Sequence, residues 1–440
     1  MPFNVKHQTL VPLLILILII AVACGDTTSS VEPNIGDDSS AKEPITLRVA
    51  TGDSGDGLTP HREIIENFQD QYPHISIVLE SVEGQDYYGR LLTKIKAEKA
   101  PDIFQIGDDA LPNFVEQGAL LALDPLSNRS TTFDQTIYLP SLLAPGQWQG
   151  QQYLLPKDYS PLAVYYNKQI FDEYGVPYPQ EGWTWTDLLE TAQQLTKDTD
   201  DDGLTDLWGI QLPATWTTGF EYWVVASGAR FMDEEQASFS GYFDSPEMIE
   251  AVQFYADLYN KYQVAPLPVD LTAFGGGNQE FDQGRAAMRI FGRWPQAGLL
   301  ENPNITLGVV GVPKHKQQAN ILFWGGFGIN RNSPHQEEAW LFLQFYVGQE
   351  GAEIWQNWAL PAVESVANQA GLSDDPIEGV WLSQLGDVVP RGYTYVPHWE
   401  RTVDPALRRV LESAIIDPDA DVDMLLKQAS EEAEVARQNQ

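Results

Sequence analysis

Cysteine and positive charge are scarce in this sequence. Its 440 residues contain one cysteine, Cys24, which excludes a disulfide framework and a zinc site built from several thiolates. Lys and Arg total 26 against 62 Asp and Glu, so the formal net charge is -36. A protein with a field of that sign repels nucleic-acid phosphates and anionic lipid headgroups. We therefore expect no nucleic acid as a partner, and contact with a membrane only through an anchor.

Recognisable catalytic motifs are also missing. The six histidines form no H-E-x-x-H pair, and the sequence contains neither a G-x-S-x-G motif nor a phosphate-binding G-x-x-x-x-G-K-[ST] loop. Paired carboxylates, which a glycosidase would use, carry no information in a chain with 62 acidic residues. The sequence thus favours a binding protein that is not an enzyme. A secreted carbohydrate-active enzyme is the alternative.

Only one long apolar run occurs, over residues 10–23. It is shorter than the roughly 20 residues of a membrane-spanning helix and has the length of a signal-peptide core. Small residues then precede Cys24, as in the bacterial lipoprotein box. This pattern predicts a lipoprotein signal peptide over residues 1–23, with Cys24 as the lipidated N-terminus of the mature chain. An ordinary signal peptide and a short membrane anchor are the alternatives. Residues 24–43 are polar and predict a disordered tether.

Strand and helix patterns alternate from Ile45 onwards. Apolar residues alternate in ITLRVAT, whereas Ile64, Ile65 and Phe68 recur at helical spacing. Such alternation predicts an α/β fold with mostly parallel sheets, in which ligands bind beyond the carboxyl ends of the strands. Here those ends are the Asp-bearing loops 52–57 and 107–111. The predicted elements are helices 60–72, 85–100, 183–197, 245–262, 334–348, 405–415 and 420–437, strands 45–51, 74–82 and 101–107, a hinge segment 153–175, and strands within 284–294 and 305–313.

One acidic run has the spacing of a calcium-binding loop. Gly203 occupies position 6, where such a loop turns sharply, but Gly209 stands where the bidentate acid of position 12 is expected. The run therefore predicts a structural calcium site and no required cofactor, with a solvated acidic turn as the alternative. The aspartates at positions 1, 3, 5 and 9 are Asp198, Asp200, Asp202 and Asp206.

Aromatic residues are plentiful, and the sequence contains 13 tryptophans. A sugar site needs aromatic rings for the C–H faces of the sugar and planar polar groups for its hydroxyls. For any single tryptophan, a buried core position is nevertheless the commoner role. The tryptophans outside regular periodicity are Trp216, Trp223, Trp294, Trp324 and Trp399. Those predicted to lie in the core are Trp183, Trp340, Trp355 and Trp381.

Several stretches, in this order and spacing, resemble the bacterial extracellular solute-binding proteins of the sugar-binding kind, to which maltose-binding protein belongs. The resemblance covers about residues 45–435. It implies a two-lobed α/β fold of the periplasmic-binding-protein type II kind, in which each lobe is a mostly parallel sheet flanked by helices. Hinge strands would join the lobes around a central cleft. The stretches are ATGDSGDG, FQDQYPHISIVLE, APDIFQIGDDALPNFVEQGALLAL, LPKDYSPLAVYYNKQIFDEYG, TWTDLLETAQQLT, FGRW and LFWGGFGINRNSPHQEEAWLFLQFY.

The resemblance also implies a division into lobes and a set of ligand contacts. Residues 44–157 and 305–350 would form the first lobe, and residues 158–304 and 351–440 the second. The implied contacts come from the first loop, the end of the third strand, the hinge and the tryptophan-bearing loops. They are Asp53, Ser54, Asp109, Asp158, Ser160, Trp216, Trp223, Trp294, Trp324, Gly325, Arg391, Tyr393 and Trp399.

The function implied by the resemblance is capture of a neutral mono- or oligosaccharide. The protein would be a monomer outside the cytoplasm, anchored through Cys24, and would deliver the sugar to the membrane permease of an ABC transporter. Because the chain is so acidic, a cationic solute such as a polyamine stays open, as does a peptide or a metal chelate.

Overall fold

The computed structural model describes residues 43–81, 87–269, 279–396 and 398–439. The predicted signal peptide, Cys24 and nearly all of the predicted tether lie outside the described residues. Residues Pro44–Gln440 pack as one unit. Among the described residues, no helix combines the length and the apolar character that a membrane-spanning helix requires.

Two sheets organise the chain between Pro44 and Gln440. We call the six-stranded sheet with its covering helices the first lobe, and the four-stranded sheet with its helices the second lobe. A short hairpin forms a third, two-stranded sheet. In the described part of the chain the strands are β1 (Ile45–Thr51), β2 (Ile75–Ser81), β3 (Ile103–Gly107), β4 (Gln147–Trp148), β5 (Gln151–Gln152), β6 (Leu155–Pro161), β7 (Ala163–Asn167), β8 (Trp208–Gln211), β9 (Ala286–Phe291), β10 (Leu307–Gly311), β11 (Leu322–Ile329) and β12 (Leu360–Pro361).

Both sheets are mixed, so the prediction of mostly parallel sheets is corrected. The first sheet has the order β12-β6-β11-β3-β1-β2, in which β1 pairs in parallel with β2 and β3. Its other neighbours pair antiparallel. In the second sheet, β10-β7-β9-β8, only β8 and β9 pair in parallel. The antiparallel pairs arise because the chain leaves the first sheet along β6 and returns along β11.

The chain crosses between the lobes along its strands. Leu162 alone separates β6 of the first sheet from β7 of the second. The return runs from β10 through residues 312–321 to β11. The predicted boundaries are therefore corrected at two strands. Residues 305–350 were assigned to the first lobe, but β10 belongs to the second sheet. Residues 351–440 were assigned to the second lobe, but β12 belongs to the first sheet. An apolar strand such as LGVVG can pair in either sheet, so its sequence does not tell which.

Helices cover both sheets. Thr184 caps the helix that begins at Trp185: its hydroxyl accepts the Asp187 N–H at 3.2 Å, and Asp187 Oδ2 accepts the Thr184 N–H at 2.7 Å. The described α-helices are α1 (Thr59–Gln71), α2 (Tyr87–Lys96), α3 (Leu111–Glu116), α4 (Asp124–Ser127), α5 (Pro140–Leu143), α6 (Lys168–Tyr174), α7 (Trp185–Leu195), α8 (Thr217–Ala226), α9 (Pro246–Asn260), α10 (Gln296–Glu301), α11 (Gln336–Val347), α12 (Gln349–Trp355), α13 (Glu364–Gln369), α14 (Glu378–Ser383), α15 (Trp399–Ile416) and α16 (Val422–Gln438).

Each lobe has its own core. The helix predicted over 60–72 is confirmed as α1, and its helical spacing places Ile64, Ile65 and Phe68 against the sheet and α11 of the first lobe. In the second lobe, α7, α8, α9, α15 and α16 enclose a larger cluster around Trp185 and Trp223. The predicted core tryptophans Trp183, Trp340, Trp355 and Trp381 are all buried, which confirms that assignment.

Candidate ligand-binding site

A cavity of about 400 Å³ lies between the lobes, at the carboxyl ends of β1 and β3. We call it the Asp53 cavity. Strand-end residues of the first lobe and the loop after β9 of the second lobe face each other across it. Its lining includes Asp53, Gln105, Lys157, Asp158, Ser160, Arg293, Trp294, Phe323, Gly325, Trp355 and Trp358.

Local hydrogen bonds fix the loop that carries Asp53. The Asp53 N–H donates to Thr51 Oγ1 at 3.0 Å, and the Thr51 hydroxyl in turn donates to Gln105 Oε1. Ser81 Oγ, at the end of β2, donates to the Asp53 carbonyl oxygen at 2.7 Å. Neighbouring strand ends therefore hold the loop where the carboxylate faces the cavity.

A buried lysine joins two carboxylates in this wall. Lys157 is 5% exposed, and its Nζ lies 3.0 Å from Asp53 Oδ2 and 3.2 Å from Asp158 Oδ2. It also lies 4.7 Å from the centre of the Trp355 ring. Burial alone would lower the pKa of Lys157, but the carboxylates of Asp158 and Asp53 outweigh that effect and raise it. Lys157 is therefore held as a cation, and its contacts lie within the protein.

The Asp53 carboxylate is ionised for the same reason. Burial opposes its charge, but Lys157 and His61 stabilise the charge and hold the pKa of Asp53 well below its usual value. Its side chain stays 32% exposed. The cavity wall thus offers a permanent hydrogen-bond acceptor at neutral pH.

The wall from the second lobe combines a paired cation with an open ring. Arg293 donates to both oxygens of Glu378, at 2.7 and 2.6 Å, and its backbone N–H donates to Ser160 Oγ at 2.7 Å. The next residue, Trp294, is 48% exposed and lines the cavity. Its ring packs over Gly292, where a Cβ atom would come within 1.9 Å of the indole. A glycine at this position is therefore needed for the ring to lie flat against the strand.

Aromatic contacts hold the Trp294 ring from behind. Phe323 packs edge to face with Trp294 at 5.4 Å between ring centres and stacks on Trp216 at 5.1 Å. Phe291 contacts Trp294 at 4.8 Å. The exposed indole is thus a fixed surface rather than a free side chain.

A second cavity, of about 330 Å³, also receives side chains from both lobes. We call it the Tyr393 cavity. Residues around α3 and the β4–β5 hairpin line one side, and the segment that leads into α15 lines the other. Its lining includes Asp109, Asn113, Glu116, Trp148, Tyr393, Tyr395, Trp399, Glu400 and Arg401.

Arg391 stands between the two cavities. Its guanidinium carbon lies 4.6 Å from the ring centre of Phe323 and 4.5 Å from that of Tyr393. The guanidinium is paired with the buried Glu221 carboxylate at 3.0 and 3.1 Å. The Tyr393 hydroxyl donates to Asp108 of the first lobe, which links the lobes. Burial raises the pKa of Asp108 to about 7, although Arg391 acts in the opposite direction.

The structure sorts the predicted contact residues other than Trp223 into four groups. Lining the Asp53 cavity are Asp53, Asp158, Ser160, Trp294, Trp324 and Gly325. Lining the Tyr393 cavity are Asp109, Tyr393 and Trp399. Trp216 and Arg391 lie behind the cavity walls, through their contacts with Phe323. Ser54 is exposed and belongs to neither lining.

Trp223 is corrected to a core residue. It is 2% exposed, lies in the middle of α8, and packs against Trp185 at 5.0 Å and Tyr255 at 5.5 Å between ring centres. Packing of α8 on α9 turns the ring away from both cavities. Trp324 lines the cavity with little of its ring, because the indole is buried and its Nε1 donates to the Leu142 carbonyl at 2.8 Å.

Sequence reasoning missed several residues of the Asp53 cavity. A buried cation gives no periodic signal, and its pairing with a carboxylate depends on residues far apart in the chain. The only local sign is that Lys157 directly precedes Asp158 in a Pro-flanked strand. The lining residues that were not predicted include Gln105, Lys157, Arg293, Phe323 and Trp358, and Trp355 was predicted only as core.

The acidic loop partly has the geometry expected for calcium. Carboxylate oxygens of Asp198, Asp200 and Asp206 lie within 4.8 Å of one another. Asp202 is outside this group, and its Oδ1 accepts the Leu204 N–H at 2.8 Å. Gly203 makes the turn with a φ of 87°. The calcium site itself stays a prediction.

Two mixed sheets joined by crossing strands, with a cavity between them, define a two-lobed binding-protein fold. The chain belongs to the family of bacterial extracellular solute-binding proteins, whose profile matches residues 52–353. The family consists of solute-binding proteins rather than enzymes, and its members are extracytoplasmic.

Curated relatives resemble the chain over most of its length. It is 24% identical over 394 residues to the diacetylchitobiose binding protein of Streptomyces coelicolor, which spans 86% of this chain and 86% of the relative. It is 25% identical over 318 residues to the arabinooligosaccharide-binding protein of Halalkalibacterium halodurans, which spans 69% of this chain and 68% of the relative.

Solved structures confirm the predicted two-lobed α/β fold. An ABC substrate-binding protein from Listeria monocytogenes, in complex with cycloalternan, has a TM-score of 0.79 at 23% identity and covers 90% of this chain and 100% of its own. The maltose/maltodextrin-binding domain from Bdellovibrio bacteriovorus, bound to maltotriose, has a TM-score of 0.73 at 18% identity and covers 89% and 100%.

Proposed function

We propose that this protein captures an uncharged sugar in the Asp53 cavity and delivers it to the membrane permease of an ABC transporter. The observation that carries the proposal is the open Trp294 ring facing the Asp53–Lys157–Asp158 group across a cavity between the lobes. An indole face suits the C–H surface of a sugar ring, and ionised carboxylates accept hydrogen bonds from its hydroxyls.

The charge balance of the site favours an uncharged ligand. Each cation at or beside the cavity already has a carboxylate partner: Lys157 has Asp53 and Asp158, Arg293 has Glu378, and Arg391 has Glu221. An anionic sugar would meet carboxylate oxygens without a cation free to pair with it. Desolvating such a ligand without a partner is costly.

Binding between the lobes also explains how the permease could recognise the protein that carries a sugar. A ligand that contacts Asp53 on one lobe and Trp294 on the other makes both sets of contacts only when the lobes are closed. It therefore shifts the population toward the closed form, which the permease can distinguish from the open form. The curated relatives named for diacetylchitobiose and arabinooligosaccharides support a saccharide as the ligand.

The pattern of the N-terminal sequence supports a lipid anchor. We propose that Cys24 carries lipid and that the polar residues 25–43 hold a monomeric body away from the membrane. Mass spectrometry of the mature N-terminus tests this proposal. A Cys24 without lipid, or a chain from which residues 1–23 have not been removed, would contradict it.

Native mass spectrometry against a panel of uncharged and charged solutes tests the proposed ligand class. We expect an uncharged mono- or oligosaccharide to bind at one copy per chain and to be recovered with its mass unchanged. Hydrolysed sugar would instead favour the alternative of a secreted carbohydrate-active enzyme. Exclusive binding of a polyamine, a peptide or a sugar phosphate would overturn the proposal.

A further inference from the structure

We propose that His61 is a positioning residue for the ligand: it fixes the Asp53 carboxylate so that Oδ1 is the oxygen presented to a sugar hydroxyl. The inference rests on the proposed function, since it assigns a role within the same cavity. It concerns a residue that does not line the cavity itself.

A chain of hydrogen bonds runs from the core of the first lobe to the cavity. The hydroxyl of Tyr346, on α11, contacts Nδ1 of His61, on α1. His61 Nε2 lies 2.8 Å from Asp53 Oδ2, and Lys157 Nζ lies 3.0 Å from the same oxygen. Both internal donors thus converge on Oδ2. Among the described residues, Asp53 Oδ1 has no hydrogen-bond partner, and the side chain is partly exposed to the cavity.

This arrangement selects one form of the imidazole. The tyrosine hydroxyl can donate to Nδ1 while Nε2–H donates to the carboxylate, which satisfies every polar atom with a neutral ring. Burial, aided by the nearby Lys157 cation, lowers the pKa of His61 below its usual value and favours that neutral form. His61 therefore acts as a fixed donor at Nε2 and not as a second cation beside Lys157.

Packing keeps the imidazole ring from turning away. His61 is fully buried, and its ring contacts Trp355 edge to face at 4.8 Å and Phe327 at 6.2 Å between ring centres. A buried N–H that lost its acceptor would be strongly unfavourable, so the ring and the carboxylate hold each other. Without this donor, Lys157 alone would leave the carboxylate free to rotate, and either oxygen could turn toward Lys157.

The test compares two substitutions that differ in the donor. His61→Leu removes it, whereas His61→Gln places an amide N–H near the position of Nε2. His335→Leu, at the start of α11 and outside the cavity, is the matched control. Isothermal titration calorimetry with diacetylchitobiose, maltotriose and arabinotriose should show about tenfold weaker binding for His61→Leu and recovery to within about threefold for His61→Gln. Circular dichroism confirms that each variant is folded before titration.

A readout without sugar separates this inference from the proposed function. In protein with ¹⁵N-labelled histidine, the nitrogen shifts of His61, assigned from their loss in His61→Leu, should show a neutral ring protonated at Nε2 from pH 6 to 8. A ring protonated at Nδ1 or at both nitrogens would overturn the inference, as would a folded His61→Leu with wild-type affinity. If the wild type bound none of the sugars while Nε2 carried the proton, the proposed function would fail and the hydrogen-bond geometry would stand.

Discussion

The two cavities between the lobes differ in how their polar groups are held. In the Asp53 cavity the charged groups are buried or half-buried and paired, and the Lys157 side chain joins two carboxylates. In the Tyr393 cavity, Glu400 and Arg401 lie 3.8 Å apart with 58% and 69% of their side chains exposed, and Glu116 is exposed as well. Pairing and burial fix direction, whereas exposed charges move and are screened.

This difference in the pairing and burial of charged groups suggests that the two cavities contribute differently to ligand binding. The Asp53 cavity has the fixed acceptors and the open indole that can set the orientation of a sugar ring. The Tyr393 cavity has room and aromatic walls but few fixed polar groups, so we expect it to add contact area for a longer ligand. Four predictions test this contrast, beginning with the largest expected effect.

Replacing Asp53 should have the largest effect on affinity. Asp53→Asn removes a charged acceptor from the cavity and weakens the pairing of buried Lys157, so we expect the dissociation constant of the sugar to rise about 100-fold. Titration calorimetry measures the change. Asp56→Asn, in the same loop but exposed and outside the cavity, is the control. Equal affinities of the two variants would remove Asp53 from the site.

Truncating one aromatic side chain in each cavity should show which cavity contributes more to the affinity for a disaccharide. Trp294→Ala should weaken binding of a disaccharide about tenfold, because the open stacking surface is lost. Trp148→Ala, in the Tyr393 cavity, should change it less than about twofold and should matter more as the oligosaccharide lengthens. Tryptophan fluorescence titrations with sugars of increasing length measure both. A larger loss for Trp148→Ala with a disaccharide would reverse the assignment.

Asp108, which accepts the hydrogen bond of the Tyr393 hydroxyl, should respond to pH in the opposite sense from Asp53. Burial raises the pKa of Asp108 from 3.8 to about 7, so the folded protein holds a proton that the unfolded chain releases. The stabilising contribution of Asp108 is full below about pH 4 and is lost as pH rises through 7. Asp108→Asn mimics the protonated form. It should match the wild type below about pH 4, and its excess in the free energy of unfolding should grow by about 2–3 kcal/mol between pH 5 and pH 8.

Urea unfolding at pH 5, 6.5 and 8 measures this difference. A gap between wild type and Asp108→Asn that stays constant with pH would show that Asp108 does not titrate in this range. The substitution keeps an acceptor oxygen for the Tyr393 hydroxyl, so the link between the lobes is preserved in the comparison.

Carboxylates outside both cavities should give the smallest effect. If the Asp198 loop binds calcium, millimolar calcium should raise the melting temperature by about 1–3 °C, and Asp200→Ala should abolish the rise. Sugar affinity should not change, since the loop lies outside both cavity linings. Differential scanning calorimetry with and without a chelator measures the shift, and its absence would remove the predicted calcium site.

Periodicity was enough to predict the local elements and one side of the site. The spacing of Ile64, Ile65 and Phe68 is visible in the sequence because a helix buries one face. The alternation of strand and helix likewise placed Asp53 at the carboxyl end of β1, where the Asp53 cavity lies. These features depend on neighbours within a few residues, so a single sequence contains them.

Features that depend on distant pairs could not be predicted. Trp223 and Trp294 both lie in aromatic, irregular stretches, and only the packing of α8 on α9 buries the first while Gly292 leaves the second open. Strand β10 is apolar throughout, which fits either sheet. The pairing of Lys157 with Asp53 joins residues 104 positions apart, and no local pattern records it.

Leu162, the single residue between β6 and β7, makes the passage between the lobes nearly as short as a chain allows. A one-residue link allows bending but little sliding, so we expect any relative motion of the lobes to be a rotation close to Leu162. In such a rotation, the displacement of a residue grows with its distance from the axis. Asp158 and Ser160, within four positions of Leu162 in the chain, would then move least, so their side chains would keep their places while more distant parts of the cavity wall approach each other.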